Sequence, residues 1–241
     1  MRSTDKSNAL KISVAAAIFC ALAYASEYVF HVKVMFLTFD IKDSIIAVAA
    51  MIFGPVYAVM MGFAVALLEL ITMSDTGPYG FVMNVLSTVS FTVVASFIYR
   101  KIRTLYGAVL GFVTGAVAMT AIMMLANLFI TPYYMTAKGT PTSMADIAAM
   151  IPKVLLPFNL LKAIFNASIA MLLYKHVVNA LRRARILPRR ITVADGAQPT
   201  AEQSRNSTVV RTAMVTAGSV VVAAVSILIL VFGLNAKITW F

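Results

Sequence analysis

Residues 106–130 read YGAVLGFVTGAVAMTAIMMLANLFI, twenty-five consecutive positions without an acidic or basic side chain. A helix rises about 1.5 Å per residue and the hydrocarbon core of a bilayer is about 30 Å thick, so a run of about 20 apolar residues crosses it. Working outward from this stretch, comparable runs occupy 9–30, 42–54, 55–73, 80–99 and 153–174, with a separate one at 212–234. The run at 42–54 is short and meets the next at Gly54-Pro55, which reads as a tight re-entry of the chain: proline interrupts the helical ladder and glycine permits the turn. Of 241 residues, 61% are hydrophobic and 12% charged, against roughly 45–50% and about 25% in a soluble domain. One globule of this size cannot hide that apolar excess. The expected class is an all-α polytopic membrane protein, with a six-span domain at 1–188, a polar cytoplasmic linker at 189–211, and an additional transmembrane helix with a short external tail at 212–241.

Charge supplies orientation. With the N-terminus in the cytoplasm, fourteen of the twenty cations fall inside, at Arg2, Lys6, Lys11, Arg100, Lys101, Arg103, Lys175, Arg182, Arg183, Arg185, Arg189, Arg190, Arg205 and Arg211. Lys33, Lys42, Lys138, Lys153 and Lys237 would lie outside, and Lys162 alone within a span. Cytoplasmic enrichment of Lys and Arg is the normal topological bias. The net charge of +11 is therefore assigned to topology and to anionic membrane lipid rather than nucleic acid. The basic, apolar N-terminus ending near Ala23-Tyr24-Ala25 resembles a signal peptide, but the run continues through Val29 and Phe30, and a retained span is the preferred reading.

Enzyme and metal signatures are missing. The lone Cys20 excludes an intramolecular disulfide and a CxxC pair, and His31 and His176 are too distant to form a metal site. No phosphate loop, H-E-x-x-H or G-x-S-x-G occurs. No catalytic residue, metal or cofactor is assigned. Asp40 and Asp43 are close enough for a divalent cation, with Lys42 between them; a charge pair at a helix N-terminus is the simpler reading.

The costly residues in hydrocarbon carry the functional information. Glu69, Asn84, Asn127, Asn159, Lys162 and Asn166 all fall in the apolar runs, where a charge at the bilayer centre costs about 2.5–3.5 kcal/mol on insertion scales. Under the same topology Glu69, Asn84, Asn127, Asn159 and Lys162 share the outer half of the membrane. Asn159, Lys162 and Asn166 follow i, i+3, i+7 spacing along one helix face. Two readings stay open: a pocket for an amphipathic small molecule, or a buried Glu69–Lys162 ion pair with asparagines that only join helices. The external segment HVKVMFLTFD (31–40) exposes Met35, Phe36, Leu37 and Phe39, which either cover something or anchor at the headgroups. Small residues repeat every fourth position at Ser13, Ala17, Ala21 and Ala25, and again at Gly107, Gly111 and Gly115. Such faces allow close helix approach. The glycines read as packing inside the bundle, and the alanines as a face for another subunit.

FLTFDIKD (36–43), IFGPVYAVMMGFAVALLELIT (52–72), GFVMNVLSTVSF (80–91), LANLFITPYYM (125–135), LPFNLLKAIFNA (156–167) and LLYKHVVNALRRARILP (172–188) together resemble the riboflavin-specific S components of energy-coupling factor (ECF) vitamin transporters. The first stretch is shared among several vitamin S components; LPFNLLK and NLFITPYYM are closer to the riboflavin group. The resemblance implies a six-helix bundle that binds riboflavin near the outer face of a bacterial inner membrane. It also implies partnership with a membrane scaffold subunit and two cytoplasmic ATPases. Carried over, the vitamin contacts are Asn127, Asn159 and Lys162, with Met35 and Leu37 from the first external loop and Glu69 and Asn84 near the ribityl chain. Ala17 and Ala21 correspond to the scaffold-facing surface. The helix after residue 211 departs from the six-span pattern. The rival readings are an S component for another vitamin, an autonomous facilitator, and a membrane enzyme acting on lipid phosphates through Asp40 and Asp43.

Overall fold

The computed structural model describes residues 2–184 and 201–229. Helix α1 covers Arg2–Val29 and leads into a β-hairpin, β1 His31–Val34 and β2 Leu37–Asp40. Helices α2 (Lys42–Phe53), α3 (Pro55–Thr72), α4 (Gly77–Lys101) and α5 (Leu105–Ala137) follow. A short α6 (Met144–Met150) passes through a π-helical turn at Ile151–Leu155 into α7 (Leu156–Arg183), and α8 spans Ala201–Leu228. Among the described residues, five segments are long and apolar enough to cross a membrane: Ala9–Val29, Pro55–Thr72, Gly77–Lys101, Leu105–Ala137 and Met144–Leu181.

Three sequence expectations need correction. The run at 42–54 is α2, whose 12 residues rise only about 18 Å. Nine of them are buried, so its apolarity serves the bundle interior. The stretch 31–40 is an antiparallel hairpin pairing His31 with Asp40 and Val34 with Leu37, not an irregular loop. Val32, Val34, Leu37 and Phe39 point inward, the two-residue alternation of a half-buried strand. Finally, α8 begins at Ala201, inside the segment read as linker. Its apolar portion among the described residues is Val215–Leu228; residues 185–200 and 230–241 lie outside the described residues, and with them the end of the span expected at 212–234.

Gly54 has φ 114° and ψ 173°, a region essentially reserved for glycine, and Pro55 starts α3 where its missing N–H costs nothing. Lys42 meets Glu69 near one end of α2 and α3 while Gly54 joins the other, so the two helices form an antiparallel pair. Helix α5 continues past Pro132 to Ala137, seven residues beyond the expected end at 130, which carries Thr131 and Tyr134 to the hairpin end of the bundle. The inner core joins Ala47, Val48 and Met51 of α2 with Phe91 and Ala95 of α4, Phe112 and Met119 of α5 and Ala163 and Ala170 of α7. A second cluster gathers the hairpin's Val32, Val34, Leu37 and Phe39 with Leu155, Phe158 and Phe165, and Ala223 of α8 packs into it.

Contact between α4 and α5 is close because α5 presents glycine. A Cβ at Gly111 would stand 2.7 Å from the Ala95 carbonyl oxygen, and one at Gly115 would stand 2.7 Å from that of Phe91. Backbone cannot swing aside as a side chain can. Gly111→Ala should therefore destabilise the protein in detergent by about 1–3 kcal/mol, whereas Gly218→Ala, where nothing lies within 4 Å, should be near neutral. Thermal unfolding of both variants checks this; equal midpoints would refute the close-packing account.

Candidate ligand site

The hairpin end of the bundle holds two adjoining cavities. The first, about 90 Å³, is lined by Leu37 and Thr38 of the hairpin, Asn84 and Met83 of α4, Asn127 and Tyr134 of α5, and Phe158, Asn159 and Lys162 of α7. The second, about 260 Å³, is bordered by Glu27, His31, Met35, Lys42, Glu69 and Asp75. Phe36, Leu37, Thr38, Thr76, Asn84 and Tyr134 border both. Five of the seven expected ligand residues thus meet at the first cavity: Leu37, Asn84, Asn127, Asn159 and Lys162. Glu69 reaches the second cavity only, and Met35, 66% exposed at the hairpin tip, borders the same one.

Local structure aims these groups. The π turn accommodates Pro152 ahead of α7, and the Asn159 amide donates to the Leu155 carbonyl at 2.8 Å. The Asn127 amide donates to Met123 O at 2.7 Å and its Oδ1 accepts from Thr131 Oγ1 at 3.0 Å. These two asparagines bond within their own helices and do not tie one helix to another. Asn166 does: its Oδ1 accepts from the Ser44 amide at 2.9 Å and the Ser44 hydroxyl at 2.6 Å, and its Nδ2 donates to Asp40 O at 2.9 Å. It lies below the cavity as a brace for the turn between β2 and α2.

The buried charges do not pair as the sequence suggested. Lys162 Nζ donates to Asp40 Oδ2 at 2.6 Å and to the Thr38 carbonyl at 3.0 Å. Glu69 takes both its bonds from Lys42, at 2.8 and 2.7 Å, and a third from Asn84 at 2.7 Å. Lys42, expected outside, is buried, as are Glu27, Asp40 and Asp43. Asp43 accepts from Thr88 at 2.5 Å, so both aspartates considered for phosphate chemistry are enclosed and already engaged. Burial opposes ionisation of Asp40, but the Lys162 and Lys42 ammonium groups outweigh it and hold its pKa below the ordinary carboxylate value. That pairing contributes stability above the ordinary pKa of a free aspartate, and the contribution is lost as pH falls through the depressed value.

Sequence reasoning missed Glu27, Lys42 and Asp40 as interior groups, and Thr131, Tyr134 and Phe158 as lining. The F-x-x-F-D-x-K-D spacing of 36–43 was visible, but only the depth of the hairpin reveals that its acids face inward. Ala17 and Ala21 lie exposed on α1, in line with exposed Ser13 and Ala25, while Ala16, Phe19 and Ala23 are buried on the opposite side.

A multi-pass membrane bundle with a polar and aromatic cavity opening at one end is a solute-binding membrane protein. Its family follows from sequence: residues 11–174 match the family described as ECF transporter, substrate-specific component, and the chain belongs to it. Members of this family are transporter subunits that pair with an ECF module, and not enzymes. The riboflavin transporter RibU of Staphylococcus aureus (strain TCH60) is 30% identical over 154 residues, covering 61% of this chain and 78% of the relative. The riboflavin transporter FmnP of Bacillus subtilis (strain 168) is 26% identical over 144 residues, covering 58% and 75%. The solved S component of a bacterial ECF transporter superposes with a TM-score of 0.58 at 24% identity, covering 74% of this chain and 99% of that one.

Removing one member of a buried pair strands the other charge. Lys162→Met should cost about 3–5 kcal/mol, and adding Asp40→Asn should recover most of it, whereas adding Glu69→Gln should not. Unfolding midpoints in a double-mutant cycle decide the matter; rescue by Glu69→Gln instead would mean that Lys162 pairs with Glu69.

Proposed function

We propose that this chain is a riboflavin-binding S component that captures the vitamin at the outer face and delivers it inward with a scaffold subunit and two ATPases. The observation that carries the reading is the convergence of Asn127, Asn159 and Lys162 on one cavity walled by Phe36, Tyr134, Phe158 and Met123. A flavin has a flat apolar ring system and a uracil-like edge of alternating donors and acceptors. Two amides and an ammonium satisfy such an edge, while aromatic and methionine side chains cover the ring faces. The names of the two riboflavin-transporting relatives support the same substrate.

At about 90 Å³ the ring chamber is smaller than the roughly 300–1,000 Å³ of an ordinary small-molecule site. The wall it shares with the larger cavity is made by the hairpin stretch Phe36–Thr38 with Thr76, Asn84 and Tyr134, and binding requires the hairpin part of this wall to yield and merge the two spaces. Lys162 is bonded to that wall through Thr38 and Asp40, and a ligand that engages its ammonium competes with the hairpin's hold. Recognition and lid movement therefore act on the same side chain.

Orientation follows the charge distribution, with the N-terminus and the basic segments in the cytoplasm and the cavities facing outward. Ala17 and Ala21 form the contact with the scaffold subunit, since their exposed, small-residue face lets another helix approach closely.

Titration of purified protein with riboflavin should quench flavin fluorescence with saturation below micromolar ligand, and Asn159→Leu should weaken binding about tenfold or more, the loss of roughly one buried polar bond. Absence of quenching at micromolar riboflavin, with thiamine or biotin bound instead, would contradict the vitamin assignment. Uptake in cells lacking every coupling ATPase should cease; undiminished accumulation would favour an autonomous facilitator.

A further inference from the structure

The larger cavity has a charge pattern that ring binding does not explain. Its floor and mouth carry Glu27, His31, Lys42 and Glu69 with Lys33 and Asp75. Both lining ammonium groups are already committed. Lys42 donates to the two oxygens of Glu69 and stands 3.5 Å from Glu27 Oε1, and Lys33 is paired with Asp75. Glu27 Oε2 lies 3.1 Å from His31 Nδ1. Glu27 Oε1 accepts no hydrogen bond, although the side chain is only 3% exposed. Among these side chains, the three carboxylates of Glu27, Glu69 and Asp75 outnumber the two ammonium groups of Lys33 and Lys42.

A buried carboxylate oxygen without a donor is costly, and a ligand group that brings donors relieves it. Hydroxyls do so. A phosphate monoester brings about 1.5–2 further negative charges and oxygens that mainly accept, and it meets a wall where no lining ammonium is unpaired. We infer that this cavity is a subsite for an uncharged polyhydroxyl chain, and that Glu27, backed by Glu69, makes it reject the phosphorylated form of the same ligand. The inference rests on the flavin reading, which places the ring in the adjoining chamber and the ribityl chain here. It assigns Glu27 a role in selecting among flavins, acting by unfavourable charge rather than by an added attraction.

The test uses the purified full chain and four flavins: lumiflavin, which lacks the chain; riboflavin; riboflavin 5′-acetate, which adds neutral bulk; and riboflavin 5′-phosphate. Riboflavin and its acetate should bind within about threefold of each other, and the phosphate about tenfold or more weaker. In Glu27→Gln the phosphate penalty should shrink by about threefold or more, while lumiflavin binding stays unchanged and reports an intact ring site. The acetate and phosphate comparison on the unaltered protein stands even where the variant does not fold. Equal binding of phosphate and riboflavin, or equal loss for acetate and phosphate, would overturn the inference and leave the flavin reading intact. Failure of lumiflavin and riboflavin alike to bind would overturn the flavin reading, and this inference with it.

Discussion

The contact between Lys162 and Asp40 organises the hairpin end of the molecule. It joins the second turn of α7 to the last residue of the hairpin, 122 positions earlier in the chain, at 2.6 Å. The same ammonium holds the Thr38 carbonyl, and Asn166 one turn further along α7 holds the Asp40 carbonyl and the start of α2. A strand pair of four residues each has little independent stability; these charge-assisted bonds fix it against the helices. Once it is fixed, Phe39 packs between Phe158 and Phe165, and Phe36 to Thr38 become a cavity wall instead of a surface loop. The desolvation of both charges is substantial, which makes the pair a better device for specifying geometry than for adding stability.

How far the sequence discloses this arrangement depends on which physical constraint is being read. Bilayer thickness imposes long uninterrupted apolar runs, so α1, α3, α4, α5 and α7 are legible, although the ends of α1, α5 and α7 run about two turns beyond the apolar stretch into more polar sequence. Helix α2 is a different case, since twelve apolar residues look the same in sequence whether they half-cross a membrane or fill a bundle. The hairpin did announce itself, through alternation at Val32, Val34, Leu37 and Phe39, but the aromatic content of the segment invited a loop reading. Of the site, the residues on helices were recoverable because polar side chains in hydrocarbon are expensive wherever they point. Their partners were not. Glu69 and Lys162 were the two charged residues singled out within the spans, yet each bonds to a residue from the short stretch 40–42, whose depth depends on tertiary packing alone.

Two constraints on function meet at the hairpin. As a member of the ECF substrate-specific component family, the chain pairs with an ECF module, and its own task is selective binding. The cavities open where the hairpin, α4, α5 and α7 come together, and the lid is tied to the very lysine proposed to read the ligand. Helix α8 adds a feature outside the six-helix pattern: Ala223 lies within the cluster that contains Phe39 and Phe165, so the additional helix buttresses the hairpin's apolar support from the α7 side. Meanwhile the small-residue face of α1, Ser13, Ala17, Ala21 and Ala25, is exposed among the described residues, which suits it to a partner helix.

A structure of the purified protein saturated with riboflavin tests the central claim most directly. The account predicts one flavin beneath the hairpin, its uracil-like edge within hydrogen-bond distance of Lys162 and at least one of Asn127 and Asn159, and the Phe36–Thr38 wall displaced outward. A flavin bound elsewhere, or a hairpin unmoved over two separate cavities with those three side chains making no contact to the ligand, would contradict it.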